Sequence, residues 1–175
     1  MNDSPWRRWM NLSAAFAFGV AASVAVMLVM RGSSDDLRIE EAVVDSHVRS
    51  LMGAHLVDVQ SADRHAVKPW FAGKLDYAPP VRDLAAAGAP LVGGRLDYLG
   101  QRTVAALVYR VNQHAVNVFV WPDPDKPAVL PAFSARKGYN VARWHGNGMQ
   151  FWVVSDLNVA DLHRVVDMLA AAEQP

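Results

Sequence analysis

The chain has 175 residues, 17 basic and 17 acidic side chains, no cysteine, and 52% apolar residues. Zero formal net charge gives no global pull toward nucleic acid, so direct nucleic-acid binding is not expected. Lacking cysteine, the chain has no disulfide, thiol nucleophile or Cys-ligated zinc, and its apolar content suits one globular domain with an appendage.

Leu12 to Met30 reads LSAAFAFGVAASVAVMLVM and carries no charge. As a helix it would be about 28 Å long, close to the hydrocarbon thickness of a bilayer. Arg7 and Arg8 precede it, with Trp6 and Trp9 as interfacial aromatics. The excess of positive charge on that side predicts a cytoplasmic tail over residues 1–9 and a transmembrane helix over 10–31. A periplasmic, sensor-like domain over 32–175 then follows a single pass through the inner membrane, with the lipid bilayer as a partner. A cleaved signal peptide competes, given the small residues Ala21 to Ala25, but the apolar run continues through Met30.

Arg31 to Asp36 reads as a short connector, and Ser34 as the N-cap of a second helix. Leu37, Val44, Val48 and Leu51 keep helical spacing, so that helix is predicted to reach Met52 and stop at Gly53. Leu56 to Val59 is a short strand candidate.

The stretch DRHAVKPWFAGKLDYAPP, Asp63 to Pro80, mixes charge, aromatics and proline. Pro69 is expected to hold Lys68 extended, and Gly73 to take positive φ in a turn. The plain reading is a rigid crossover anchored by Trp70 and Phe71. The functional reading gathers His65, Lys68, Trp70, Lys74 and Asp76 on a rim that binds a small anion or a partner's acidic patch.

From Pro90 the pattern changes to strands: Leu91 to Leu99, Arg102 to Val111 and Ala115 to Trp121. Gly100-Gln101 suits a two-residue hairpin. In Val116 to Trp121 the valines fill one face, and Asn117, Phe119 and Trp121 the other. Gly93-Gly94 precedes a strand rather than a helix, so it is no phosphate loop. Pro122 to Lys137, with four prolines, is expected to break the sheet. Tyr139 to Trp144 and Met149 to Val154 form a last hairpin, and Asn158 caps a helix striped by Leu162, Val165, Val166 and Leu169. The fold class is α+β: an N-terminal transmembrane helix, then an antiparallel meander sheet packed with flanking helices.

No catalytic residue is assigned. Ser46, Ser61, Ser134 and Ser155 lack a nucleophile-elbow context, and sequence alone sets no distance between Asp58, Asp63 and Asp76. Of the six histidines, His47, His55 and His65 lie closest together, but spacings of eight and ten residues match no compact metal motif. They are the candidates for zinc or copper, and the expectation is no metal and no cofactor.

The segments VKPWFAGKLDYAPPV, LVGGRLDYL and VAALVYR, with GYNVARWHGNGMQFWVVSDLN near the C-terminus, are long enough to be specific. Over roughly His47 to Leu162 the chain resembles the exported part of bacterial transmembrane anti-sigma factors, or transmembrane transcriptional regulators. The resemblance implies a non-enzymatic regulator that controls an extracytoplasmic-function sigma factor in response to an envelope signal. It also implies a cytoplasmic sigma-binding domain, often of a zinc type with His and Cys ligands. The nine residues before the apolar run cannot form one, so that domain is expected to be missing or carried by a partner subunit. The alternative is a tethered binding or scaffold module with no transcriptional role.

Overall fold

The computed structural model describes residues 5–53 and 55–171. One uninterrupted helix, α1 (Pro5–Met52), replaces the expected span, connector and second helix. Gly32 and Ser33-Ser34 do not end it, and Ser34 is helical rather than a cap. A glycine inside a helix costs about 1 kcal/mol, less than stopping and renucleating the helix would. The end at Met52 is the one the sequence predicts.

Among the described residues no helix is long and apolar enough to cross a membrane, which corrects the transmembrane helix expected over 10–31. The uncharged run is not a self-contained span: it continues into a helix that also carries Asp35, Asp36, Arg38, Glu40 and Glu41. The chain divides into two compact units between Arg38 and Ile39. In the first, Phe16, Phe18, Val20, Val24 and Met27 of α1 are exposed.

The second unit is built on a seven-stranded antiparallel sheet in the order β1-β2-β3-β4-β7-β6-β5. The strands are β1 (Val59–Gln60), β2 (Leu91–Leu99), β3 (Arg102–Val111), β4 (His114–Pro122), β5 (Val129–Arg136), β6 (Tyr139–Gly146) and β7 (Met149–Ser155). Two meanders, β2-β3-β4 and β5-β6-β7, join along the β4–β7 pair, where the sequence suggests a single meander. Helices α2 (Arg64–Ala72) and α3 (Val159–Ala171) complete an α+β unit.

The sheet is covered on both faces. On one, Val67 and Phe71 of α2 and Leu162, Val165, Val166 and Leu169 of α3 pack on Ala105, Leu107, Val116, Val118 and Val153. On the other, Val43 and Val44 of α1 pack on Val104, Ala106, Phe119, Trp121, Val141, Trp152 and Val154. The period-2 alternation of β3 and β4 assigns each side chain to a face, as the valine pattern in β4 predicts.

Three local expectations are corrected. Lys68 is helical, and Pro69 lies inside α2. Asp63 caps this helix by accepting from the His65 amide at 2.7 Å. Burial of Val67 and Phe71, worth roughly 2–3 kcal/mol each, outweighs the lost proline hydrogen bond. Gly73 has φ −86° and needs no left-handed turn. Pro122 to Lys137 does not end the sheet. It contributes β5, an edge strand whose register shifts between Val129 and Ala132, and Pro131 falls within that irregularity. Proline is tolerated at an edge or a bulge, where no ladder donor is required.

Gly93-Gly94 is a packing device. A Cβ on Gly93 would lie 2.0 Å from the Val59 carbonyl oxygen, and one on Gly94 2.7 Å from the Phe71 ring. These glycines let β1 and α2 approach β2 directly. The Tyr77 hydroxyl donates to the Val120 carbonyl at 2.8 Å and accepts from the Ala105 amide at 2.9 Å, tying the crossover to β3 and β4. Burial pushes its pKa up to about 12.

Candidate ligand-binding site

The α1-facing side of the sheet holds a polar network inside an otherwise apolar layer. Ser46, His47 and Ser50 of α1 are buried there, opposite Arg95 of β2 and Asn117 of β4. Spacings i, i+1 and i+4 bring the three α1 residues over the sheet. Arg95 and Asp97, two apart on β2, share one strand face.

Arg95 is 3% exposed, so its charge must be matched locally. Its Nε and Nη2 donate to Asp97 Oδ2 at 3.1 and 3.0 Å, and Nη1 donates to the Leu56 carbonyl at 3.1 Å. The Ser46 hydroxyl donates to the same carboxylate oxygen. Turned so that its oxygen faces the guanidinium, the Asn117 amide accepts from Nη2 and Nη1 at 3.1 and 3.2 Å and from His47 Nδ1 at 3.2 Å. The opposite rotamer would set donors against donors. The Arg95 guanidinium also lies over the Phe119 ring, 5.5 Å from its centroid. Burial holds the Arg95 pKa below its usual value, against the upward pull of Asp97; a guanidinium stays charged nonetheless.

His47 is completely buried. Its ring meets Tyr139 edge-on at 5.2 Å, and its Nε2 has no hydrogen-bond partner among the described residues. Burial, then the nearby Arg95 charge, lower its pKa to about 4. The neutral imidazole is therefore the resting form near neutral pH.

Beside this network a pocket of about 300 Å³ opens to solvent. Ser46, Arg49 and Ser50 line it from α1, Arg95 and Asp97 from β2, and His55 from the following loop. The Ser50 hydroxyl donates to the His47 carbonyl at 2.7 Å. His55 Nδ1 lies 3.3 Å from Asp58 Oδ1, and Asp58 Oδ2 accepts from the Leu96 amide at 3.0 Å.

Of the residues expected to form a rim on Asp63 to Pro80, Lys74 and Trp70 lie together, with Lys74 Nζ 5.0 Å from the centroid of the half-buried Trp70 ring. His65 and Lys68 stand on α2, and they and Asp76 are exposed. The three metal candidates have different settings: His47 in the core, His55 at the pocket mouth, His65 on the first turn of α2. Among the described residues no group of three His, Cys, Asp or Glu side chains could hold a metal ion. Asp58, Asp63 and Asp76 have separate surroundings: the Leu96 amide, the α2 cap and solvent.

Sequence reasoning missed Arg49, Arg95 and Asp97. The available signal was the R-x-D spacing in LVGGRLDYL, which sets two opposite charges on one face of a strand. Compared with protein-family models, curated proteins and solved structures, the chain matches none.

Proposed function

We propose that the chain is a regulatory protein of the anti-sigma type, with the unit from Ile39 onward as its effector-binding part. It acts in the control of an extracytoplasmic-function sigma factor. The segment resemblance supports the class. The observation that carries the effector role is the pocket beside the buried network of Ser46, Arg95, Asp97 and Asn117.

Polar networks in a low-dielectric layer are geometry-specific: fully paired they hold one arrangement, and half-paired they are costly. An effector that contacts the Ser46 or Ser50 side of the pocket perturbs bonds that seat the last turns of α1. Residues 31–36 are helical, so such a change acts on a continuous helix and not on a loose connector. The Ser46 hydroxyl is committed to Asp97, and the Ser50 hydroxyl to the His47 backbone carbonyl. That supports a binding role over nucleophilic catalysis.

The test is genetic and biochemical together. Deleting the gene should change a sigma-dependent transcript, and the tagged full chain should co-purify with a sigma factor or its holder. A flexible Gly-Ser insertion after Gly32, which interrupts α1, should abolish the response. No transcript change and no such partner would overturn the reading in favour of a scaffold module.

A further inference from the structure

The pocket on the α1–β2 seam has an uneven charge balance. Arg95 is matched by Asp97 at 3.0 Å, and His55 by Asp58 at 3.3 Å. Arg49 is the exception: it lines the pocket, is exposed, and makes no ion pair among the described residues. Arg49 and Arg95 are close enough that the charge of one disfavours the charge of the other. Two guanidinium groups therefore face one small polar volume containing a single carboxylate, and that carboxylate is already engaged by Arg95 and Ser46.

We infer that this pocket binds a small oxyanion, a carboxylate or phosphate group, with Arg49 as the residue that grips it. A free guanidinium presents a planar fork that fits two oxygens of such a group. Behind it Arg95 supplies a fixed positive charge in a desolvated position, where charge is screened less than at the surface. His55, steadied by Asp58, stands at the mouth and can add a donor. Leu96, between Arg95 and Asp97 on β2, completes the lining. The volume of about 300 Å³ lies at the lower end of the small-molecule range. Arg95 is a positioning residue, since its donors are spent on Asp97, Leu56 and Asn117.

The inference rests on the reading of this pocket as the effector site and names the chemistry of the effector. It also separates the site from the lysines on Asp63 to Pro80, where sequence alone had suggested anion binding.

The test uses the purified full chain, with inorganic phosphate and succinate as probes, in calorimetry and thermal denaturation. Saturable binding of at least one probe is expected, with a raised melting temperature. Preference for phosphate or for succinate identifies which oxyanion chemistry the pocket takes. Arg49→Gln changes an exposed side chain, so folding should be retained; it should weaken binding about tenfold or more, as loss of a charge-assisted pair would. His55→Gln should weaken it by a smaller factor. Lys74→Met should leave binding unchanged. Absence of saturable binding by both probes, or equal binding by Arg49→Gln, would overturn the inference. Loss in Lys74→Met but not in Arg49→Gln would also overturn it and return the anion site to α2. These readouts need no sigma factor. A failed transcript test with intact binding therefore refutes the regulatory role alone.

Discussion

The two faces of the sheet are stabilised differently. Toward α2 and α3 the layer is almost wholly apolar, from Phe71 and Val67 to Leu162 and Val166. Toward α1 an apolar cluster around Phe119 and Trp152 adjoins buried Arg95, Asn117, His47 and two serines. Apolar burial is non-directional and tolerates small shifts, whereas the charged network demands one geometry. Stability alone would be served as well by an apolar filling on both faces. The polar seat of α1 is therefore the region where function should be sought, and the α2–α3 face the region that supports it.

Substitutions can break this contrast in graded steps. The largest losses, about 3–5 kcal/mol, are expected for Phe71→Ala on the apolar face and Arg95→Ala on the polar face. Denaturant titration should show similar midpoints for the two. They should differ in local behaviour, since Arg95→Ala leaves Asp97 buried beside Ser46 without its cation.

The pH dependence should belong to the polar face. His47 has a folded pKa of about 4 against 6.5 in the unfolded chain. Between those values the unfolded chain binds more protons, so stability falls as pH drops from about 6.5 to 4 and this contribution is flat below. The shift corresponds to about 3 kcal/mol. His47→Phe should flatten that part of the stability–pH curve; an unchanged slope would show that His47 is not its source.

A smaller effect is expected where α2 meets the sheet. Gly94→Ala places a methyl against the fully buried Phe71 ring and should cost about 1–3 kcal/mol by thermal or chemical unfolding. Asn158→Ala should cost about 1 kcal/mol. It removes the acceptor for the Asp161 amide, 3.0 Å away, at the start of α3. Lys68→Met with Lys74→Met should stay within about 0.5 kcal/mol, as exposed substitutions do.

Legibility in the sequence followed the range of the forces involved. The β2–β3 and β6–β7 hairpins and the α3 stripe with its Asn158 cap rest on local pattern and were readable. Proline misled twice, at Pro69 and Pro131, because a local rule was outweighed by burial of Val67 and Phe71 or relaxed at a sheet edge. The uncharged run from Leu12 was read by composition, whereas the helix containing it extends to Met52. No local pattern marks Arg95 and Asp97 as buried. Only the seating of α1 over that face, a long-range contact, buries them. His47 was singled out for metal chemistry, while its surroundings are an amide, an aromatic ring and a guanidinium.

Amide hydrogen exchange compared between wild type and Arg95→Met tests the central claim most directly. If the network seats α1, exchange should quicken over Val43–Met52 and stay near wild type over Val159–Ala171. Equal protection of the α1 segment in both proteins, or loosening confined to α3, would contradict it.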